Sequence, residues 1–341
     1  MFVKSLRGRG VEKSYLDLTL LFQEKGFDVH LILREAIYVL DSSKVKNLHI
    51  LEGESDRKKA LDLRRLLDDL DREKKVALLI SSNVSFMVMS GFDLQHCYFT
   101  VNMSWGYRLL KRLRFKKYFQ VRHEYQGKNI IAVSQGVKHD LLTLLRIRPT
   151  SIRVIYDPYD IQKIQLLANQ PIKVDEKYIV HIGAFDKIKR HDVLIKAFAK
   201  LQDDLFLYLI GEGKEKQKIQ KLVKRLGLTK RVRFLGWQDN PYPYVKHAKL
   251  TLLSSESEAL PRVLIESLIV GTTVVSTDCN FGPREILTGS LKPYLTPVND
   301  VAKLADKIVW ALKHPIVTSS VYYQKFAKEE VLQKYLTLLH N

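Results

Sequence analysis

Short apolar runs alternate with amphipathic helical patterns along almost the whole chain, and no other feature restricts the possible folds as strongly. In the first half the pattern predicts strands at 2–3, 29–33, 76–81, 130–133 and 151–155, and helices at 12–26, 58–71 and 135–145. Strands that are separated by helices pair in parallel, and the helices cover both faces of the sheet. The first half is therefore predicted to be an α/β domain with a parallel sheet.

A second series of the same kind follows a polar linker that runs from Asp157 to Pro171. It predicts strands at 178–182, 206–210, 232–235, 249–253 and 273–276, and helices at 192–201, 214–226, 242–247, 261–269 and 283–287. The predicted fold class is α/β, with two Rossmann-like domains whose parallel sheets face each other across a ligand-binding cleft. The N-terminal domain is placed at 1–157 and the C-terminal domain at 158–320, with a final helix at 321–341 expected to pack back toward the N-terminal domain.

The cysteines and the N-terminus bear on the cellular compartment. Only Cys97 and Cys279 are present, far apart and without metal-ligand spacing, which favours a reducing cytosol. The first ten residues contain no apolar signal core, and no apolar run approaches the roughly 18 residues that span a bilayer. The predicted first strand is short, so either the native start lies upstream or this edge of the sheet is atypical.

The formal net charge of +19 predicts an anionic partner, because such a field attracts nucleic acid, anionic lipid and phosphorylated ligands alike. The charge is densest at 105–128, where eight Lys or Arg residues accompany one acid, Glu124. The basic residues predicted to contact a membrane are Arg108, Lys111, Arg112, Arg114, Lys116 and Lys117. The apolar residues among them are Trp105, Leu109, Leu110, Leu113, Phe115, Tyr118 and Phe119. This combination is typical of a helix in an anionic membrane interface, while a solvated helix face is the ordinary alternative and nucleic acid is a less favoured partner.

Two carboxylates lie eight positions apart in SESEALPRVLIE, at Glu258 and Glu266. On one unbroken helix they would be about 12 Å apart along the axis, too far to share a proton. Because proline favours the first helical position, Pro261 predicts Glu258 in a loop and Glu266 in the second helical turn. The helix start between them offers amides and partial positive charge to a phosphate. The pattern fits a nucleotide sugar, although acids are also common as surface charges near helix starts.

Five segments of the second half occur in the order HIGAFDKIKRHDVLIKAF, LYLIGEGKEKQKI, VRFLGWQDNPYPYVKHA, SESEALPRVLIESL and STDCNFGPREIL. The first half adds SLRGRGVEK, SQGVKHDL and VIYDPYD. Together they resemble family 4 glycosyltransferases of GT-B architecture, in particular members that build bacterial surface polysaccharides such as lipopolysaccharide. The resemblance implies a metal-independent, retaining enzyme that moves a hexose or N-acetylhexosamine from a UDP-sugar to a lipid-linked glycan acceptor. Together with the cysteines and the basic segment, it predicts a cytoplasmic protein, peripheral on the inner face of the plasma membrane, without a cofactor.

The resemblance implies roles for individual residues. Glu266 would hold the ribose hydroxyls, Glu258 would contact the donor sugar, and Lys189 would neutralise the departing diphosphate. Lys189 and Glu258 are therefore the predicted catalytic residues, and because a lysine and backbone amides would meet the developing charge, no metal ion is required. The predicted donor-binding set comprises Glu266, Gly183, Arg190, Ala259, Leu260, Leu235, Gly236, Trp237 and Gly211.

The predicted acceptor side of the site is carried by fewer residues. The loop Gly8, Arg9, Gly10 is expected to bring backbone amides to the diphosphate or the acceptor. A dinucleotide-binding fingerprint is the rival interpretation, but the third glycine is absent. Asn102 takes the place where relatives often carry a histidine near the sugar, and His123 is a second candidate for that role.

Two substitutions depart from the family pattern. Ala184 stands where many members carry an arginine that joins the lysine on the diphosphate, so either Arg190 replaces it or the donor is held less tightly. Ala259 replaces the glycine of E-G-x-P and adds a Cβ beside the predicted phosphate site. These departures leave an alternative open, in which the chain is a catalytically inactive GT-B scaffold that binds anionic lipid or another polyanion.

Overall fold

The computed structural model describes residues 1–6, 10–37, 39–74, 76–82, 84–92, 96–201 and 204–340, without the side chain of His340. The chain divides into two compact units. The first unit consists of 1–159 together with 326–341, and the second unit consists of 160–325. The sequence pattern places the corresponding divisions after residues 157 and 320.

The first unit is built on a parallel sheet. Its strands are β1 Phe2–Val3, β2 His30–Leu33, β3 Asn47–Ile50, β4 Leu79–Ser81, β5 Cys97–Val101, β6 Asn129–Ala132 and β7 Ser151–Val154. In the described part of the chain these seven strands lie in the order β3-β2-β1-β4-β5-β6-β7, with every pair parallel. The central strands are apolar and buried throughout, as expected for a sheet with helices on both faces.

The helices of the first unit are α1 Gly10–Glu24, α2 Asp56–Glu73, α3 Val84–Ser90, α4 Trp105–Lys111, α5 Phe115–Tyr125 and α6 Gln135–His139. A π-helical turn at Asp140–Leu144 continues α6. The sequence pattern did not predict β3, α3 or β5. Strand β3 lies at the sheet edge and is only partly buried, so it lacks the continuous apolar run that marks a central strand.

The second unit repeats the same arrangement. Its strands are β8 Tyr178–Ile182, β9 Phe206–Ile210, β10 Val232–Gly236, β11 Leu250–Leu253, β12 Ser257–Glu258, β13 Val274–Thr277, β14 Asn280–Phe281 and β15 Leu295–Thr296. Among the described residues, six of them form a parallel sheet in the order β10-β9-β8-β11-β13-β15, and β12 pairs with β14. Both large sheets thus have the strand order of a Rossmann fold, which is the predicted fold class.

The helices of the second unit are α7 Ile161–Ala168, α8 His191–Phe198, α9 Lys216–Arg225, α10 Tyr242–His247, α11 Arg262–Ile269, α12 Pro283–Ile286 and α13 Val301–Lys313. Helix α7 lies inside the predicted linker, which is therefore not all loop. Asp160 caps this helix by accepting a hydrogen bond from the Lys163 amide at 3.0 Å, a signal that is readable in sequence. A hydrophobic cluster of the second unit contains Tyr178 and Tyr208, whose rings stack with their centroids 4.2 Å apart.

The last part of the chain returns to the first unit. The predicted continuous helix over 321–341 is wrong, because short 3-10 turns at Ser320–Tyr322 and Gln324–Phe326 precede α14 Lys328–Leu336, and another follows at Thr337–His340. Helix α14 packs on α1, where Tyr335 meets the edge of Phe22 and Lys328 pairs with Glu24 at 3.3 Å.

Candidate active site

A ligand site in an open α/β sheet is expected where the strand order reverses, beyond the carboxyl ends of the strands. In the second unit the reversal falls between β8 and β11. Strand β8 leads to Gly183 and Lys189, and β11 leads to the segment 254–258. The predicted catalytic residues Lys189 and Glu258 thus follow the two strands that flank the switch point.

Lys189 and Glu258 form a direct ion pair. The Lys189 Nζ lies 2.7 Å from the Glu258 Oε1, and the two side chains are 23% and 12% exposed. Burial acts to lower the pKa of Lys189, but the Glu258 carboxylate outweighs it and holds that pKa above its ordinary value. The lysine therefore keeps its positive charge at the mouth of the switch point.

Backbone contacts join the two loops that carry this pair. The Asp186 carboxylate accepts from the amides of Ile188 at 2.9 Å and Lys189 at 3.1 Å, which fixes the 3-10 turn Lys187–Lys189. The Ser254 hydroxyl donates to the Lys189 carbonyl at 2.8 Å, and the Glu256 amide donates to the Ile188 carbonyl at 2.8 Å. The positions of Lys189 and Glu258 are consequently set by one network.

Glu258 was predicted in a loop, but it lies in the two-residue strand β12. The register pairs Glu258 with Phe281 of β14, and the Gly282 amide donates to the Glu258 carbonyl at 3.2 Å. This pairing joins segments that are distant in sequence, so local patterns gave no sign of it. Beyond β12, Ala259 is partly exposed and Leu260 is buried, and both precede the start of α11.

Glu266 lies in the second turn of α11, as predicted, although the helix begins at Arg262 and not at Pro261. Pro261 instead precedes the helix with a ψ of 105°, which is extended backbone. The Glu266 Oε1 lies 3.4 Å from the Tyr242 hydroxyl and 3.5 Å from the Arg262 Nε. A half-buried carboxylate held in this way can accept hydrogen bonds from hydroxyls of a ligand.

Gly211 allows three strand ends to approach closely. It follows β9 with a φ of 135°, and a Cβ added there would lie 2.3 Å from the Gly183 carbonyl oxygen. Its amide donates to the carbonyl of Gly236, the last residue of β10, at 2.8 Å. The structure thus brings together Gly183, Gly211 and Gly236 of the predicted donor-binding set.

Leu235 and Trp237, predicted to line a base pocket, flank Gly236. Leu235 is partly buried against the cluster around Tyr178, whereas Trp237 is 51% exposed. The Trp237 Nε1 donates to the Asp239 carboxylate at 2.9 Å. The indole is therefore a surface group whose orientation is fixed by its neighbour, and its predicted contact with a base remains a prediction.

Arg190 bears on the arginine that is missing at Ala184. Its backbone is in the left-handed region with a φ of 51°, and its guanidinium binds both oxygens of Asp192, at 2.9 and 3.0 Å. It also contacts Asn299. In this structure Arg190 is therefore engaged by protein groups, and Ala184 is exposed beside the turn.

Two buried histidines near the lysine were missed by the sequence analysis. His181 on β8 donates from Nδ1 to the Leu252 carbonyl at 2.9 Å, and the His191 ring stacks on Phe185 at 4.2 Å. Burial lowers the pKa of His181 to about 4 and that of His191 to about 2, with a further contribution from Lys189. Both rings are therefore neutral. The triplets HIG and KRH, which contain these histidines, belong to the first of the segments that carry the family resemblance.

The predicted site residues of the first unit are scattered. Gly8 and Arg9 lie outside the described residues, and Gly10 begins α1 in an exposed position. Asn102 directly follows β5 at its carboxyl end and is partly buried, whereas His123 is exposed on α5. Of these residues, Asn102 lies where Rossmann-like folds present groups to ligands.

The basic segment forms two helices instead of the single predicted helix. Helix α4 ends at Lys111 and α5 begins at Phe115, with Leu113 between them in the left-handed region at a φ of 51°. Leu109 and Tyr118 are buried in the first unit, so their predicted role as membrane anchors is wrong. The exposed apolar residues are Leu110, Leu113, Phe115 and Phe119. Of the predicted basic contacts, Lys111, Arg112, Arg114 and Lys116 are exposed, while Arg108 and Lys117 are partly buried.

Helix α4 is anchored to the first unit by the buried residue Asp140. Its two carboxylate oxygens accept from the amides of Gly106 and Tyr107, each at 2.7 Å. A Cβ added at Gly106 would lie 2.7 Å from the Leu144 Cβ, so glycine is needed for this close approach. The exposed residues of α4 and α5 are therefore presented on a fixed support, called here the basic apolar patch: Leu110, Lys111, Arg112, Leu113, Arg114, Phe115, Lys116 and Phe119.

A cavity of about 400 Å³ lies elsewhere in the first unit, at the amino ends of β1, β2 and β4. It is lined by Phe22, Phe27 and Leu67, with Asp28 and His30 at one side. None of the described residues that line it belongs to the predicted site. Ligands of such folds bind at the carboxyl ends of the strands, and this cavity lies at the opposite edge of the sheet.

The described ranges lack two features that bear on function. No group of three or more His, Cys, Asp and Glu side chains in those ranges is arranged to hold a metal ion. Within the same ranges, no helix has the length and apolarity needed to cross a bilayer.

The fold and the paired lysine and glutamate at the switch point define a class: GT-B glycosyltransferases. The model of group 1 glycosyl transferases matches residues 162–330, and the model of glycosyltransferase family 4 matches residues 8–163. The two models together match residues 8–330, so the chain belongs to the group 1, family 4 glycosyltransferases, as the sequence motifs predicted. Its fold is similar to that of HepE from Anabaena in complex with UDP-glucose, with a TM-score of 0.82 and 16% identity over 99% of this chain and 98% of that chain. The predicted fold class is thereby confirmed.

Curated relatives match only part of the chain. The N-acetylgalactosamine-N,N'-diacetylbacillosaminyl-diphospho-undecaprenol 4-alpha-N-acetylgalactosaminyltransferase of Campylobacter jejuni is 36% identical over 157 residues, which are 46% of this chain and 43% of that protein. The lipopolysaccharide 1,6-galactosyltransferase of Salmonella typhimurium is 26% identical over 216 residues, 62% of this chain and 58% of that protein. The chain thus spans about half the length of the curated relatives it matches.

Proposed function

We propose that the protein is a retaining, metal-independent glycosyltransferase of surface polysaccharide biosynthesis. It moves a hexose or N-acetylhexosamine from a UDP-sugar to a lipid-linked glycan acceptor. The observation that carries the proposal is the ion pair between Lys189 and Glu258, which lie 2.7 Å apart in the segments that follow the neighbouring strands β8 and β11. The positive charge of Lys189 suits the diphosphate of such a donor. The adjacent Glu258 carboxylate can accept hydrogen bonds from the hydroxyls of the sugar that is bonded to the diphosphate.

The chemistry of the reaction explains why these residue types are needed. Breaking the bond between the anomeric carbon and the diphosphate oxygen leaves negative charge on the nucleotide and positive charge on the sugar. Lys189 carries three N–H groups, of which one is directed to Glu258, so others are available to the departing phosphate. A preorganised donor at such a point contributes about 2.7–4 kcal/mol to catalysis.

The remaining steps involve no assigned side-chain nucleophile. The departing phosphate oxygen accepts the proton of the acceptor hydroxyl as that hydroxyl attacks the anomeric carbon from the same face. Glu258 contacts the donor sugar and stabilises its developing positive charge. Lys189 and the amides of Ala259 and Leu260 supply positive charge to the diphosphate without a metal ion.

The UDP moiety is assigned to Glu266 and the strand ends near Gly236. The Glu266 carboxylate, held by Tyr242 and Arg262, accepts hydrogen bonds from the ribose hydroxyls. The solved structures of HepE, which share the fold, include complexes with UDP and with UDP-glucose. The name of the Campylobacter jejuni relative includes a diphospho-undecaprenol group, which supports a lipid-linked acceptor here.

The basic apolar patch supports an anionic membrane surface as a partner. It combines cations with apolar side chains that are exposed to different degrees, from 37% for Leu110 to 73% for Leu113. Cations attract anionic headgroups while the apolar groups enter the interface. We therefore propose that the protein is cytoplasmic and peripheral on the inner face of the plasma membrane, where a lipid-linked acceptor is available.

Titration calorimetry with UDP tests the proposal. Wild-type protein should bind UDP, and Glu266→Ala should raise the Kd about 10- to 100-fold, because hydrogen bonds to a charged group are lost. Glu330→Ala, which removes an exposed glutamate of α14 in the first unit, is the matched control and should leave the Kd unchanged. Absence of UDP binding by the wild type would contradict the proposed function and favour the inactive scaffold.

A further inference from the structure

We propose that Ser255 is a positioning residue that orients Glu258 toward the donor sugar. The inference rests on the proposed function and adds a residue that acts through Glu258. The Ser255 side chain is fully buried, with 0% exposure, directly after β11. Its hydroxyl donates to the Glu258 Oε1 at 2.5 Å.

The two oxygens of Glu258 have different surroundings. Oε1 accepts from the Ser255 hydroxyl at 2.5 Å and from the Lys189 Nζ at 2.7 Å. Both lone pairs of Oε1 are therefore used. Oε2 has no hydrogen-bond partner among the described residues, so it is the oxygen that is available to a hydroxyl of the sugar.

Ser255 can impose this orientation because its own backbone is fixed. The Thr277 hydroxyl donates to the Ser255 carbonyl at 2.6 Å, which ties the segment to β13. The next residue, Glu256, donates its amide to the Ile188 carbonyl at 2.8 Å. The hydroxyl of Ser255 thus approaches Glu258 from a position that is determined on both sides.

Lys189 alone would not fix the carboxylate in the same way. An ammonium group is a compact charge on a flexible stem, so it places few constraints on the rotation of its partner. In the proposed reaction the diphosphate also attracts Lys189, which weakens its hold on Glu258 as the bond breaks. Ser255 is neutral and buried, and it therefore keeps its contact with Glu258 through the reaction.

The consequence for kinetics is specific. UDP lacks the transferred sugar, so its binding does not require an oriented Glu258. The contact between Oε2 and the sugar strengthens as the anomeric carbon becomes positive, so loss of orientation lowers kcat more than it raises KM. A role for Ser255 in stability alone would lower the folded fraction and leave the kcat of the folded protein unchanged.

The experiment compares wild type, Ser255→Ala and a matched control, Ser276→Ala. Ser276 is also fully buried, on β13, and its hydroxyl donates to the Thr277 carbonyl at 2.9 Å, so it does not touch Glu258. UDP binding is measured by calorimetry. Release of UDP from UDP-glucose, UDP-galactose, UDP-N-acetylglucosamine and UDP-N-acetylgalactosamine, with water as the acceptor of the sugar, gives kcat and KM. Thermal unfolding reports the folded fraction.

We expect Ser255→Ala to lower kcat about 10- to 100-fold, the range for loss of a hydrogen bond to a charged group, with the Kd of UDP within about twofold of wild type. Ser276→Ala should keep the kcat of the wild type. A kcat for Ser255→Ala within about twofold of wild type would overturn the inference while leaving the proposed function intact, and so would equal losses in both variants. A wild type that neither binds UDP nor releases it from any of the four donors would overturn the proposed function, and the role of Ser255 with it.

Discussion

The second unit keeps the charges of its candidate site paired and partly buried, whereas the first unit exposes its densest group of charges. Lys189 and Glu258 neutralise each other at 2.7 Å, and Glu266 is held by Tyr242 and Arg262. Arg112 and Arg114 are exposed at the corner between α4 and α5. Paired charges in a network have one geometry and suit a small ligand. Exposed charges on long side chains adapt to an extended anionic surface.

The buried titratable groups of the two units also differ, and in opposite directions. Burial raises the pKa of Asp140 in the first unit to about 6, although two backbone amides oppose this shift. In the second unit burial lowers the pKa of His181 and His191 to about 4 and 2. Burial therefore favours the neutral form of each group. A fall in pH favours the neutral, protonated form of the carboxyl but disfavours the neutral, unprotonated form of the imidazoles.

The largest expected effect tests the paired charges. Lys189→Ala should lower turnover about a hundredfold or more, because the diphosphate loses its fixed cation. The matched control is Lys187→Ala, which removes an exposed lysine of the same 3-10 turn and should have little effect. UDP release from the donor is the measurement, and turnover of Lys189→Ala close to that of Lys187→Ala would refute the assigned role.

The exposed charges of the patch should give an intermediate effect. The double variant Arg112→Ala, Arg114→Ala should weaken binding to phosphatidylserine vesicles about 30-fold, from about 1 kcal/mol per basic residue near the surface. Arg57→Ala with Arg65→Ala removes the same charge from exposed positions on α2 and serves as the control. Flotation with vesicles of graded anionic content measures the binding. If both double variants weaken it equally, net charge and not the patch is responsible.

The smallest expected effect is on the pH dependence of the free energy of unfolding. Between about pH 7 and 5 the unfolded chain binds a proton at each histidine that the folded chain keeps neutral, so these residues reduce stability as the pH falls. Over this pH range His191→Phe should lose about 2 kcal/mol less free energy of unfolding than the wild type, calculated from an ordinary histidine pKa of about 6.5. Asp140 acts in the opposite sense, because folding favours its protonated form below about pH 6.

Urea unfolding of the wild type and His191→Phe at both pH values measures this difference. Val193→Ala, which changes a buried residue of the same helix but removes no titratable group, is the control, and its pH dependence should equal that of the wild type. An unchanged pH dependence in His191→Phe would show that the histidine titrates in the folded protein, in contrast to the burial of its ring against Phe185.

Much of the fold was predictable because its signals are local. Apolar runs such as Tyr178–Ile182 are strands because both faces are buried. Helix α11 begins directly after Pro261 because proline is favoured at the start of a helix. The errors fall where local signals are weak or ambiguous. The basic segment has a helical pattern throughout, yet Leu113 breaks it so that Leu109 and Tyr118 are buried while Leu110 and Phe119 are not.

The sequence by itself determined the fold class, the family and the residue types of the site, because spacing and motif order are properties of the chain alone. Only the tertiary structure decided which side chains meet. Lys189 and Glu258 are 69 positions apart in sequence, and Glu258 is fixed through a strand pair with Phe281 and a buried hydroxyl from Ser255. Such contacts depend on the strand order of the sheet, which places the ends of β8 and β11 side by side and which no local pattern encodes.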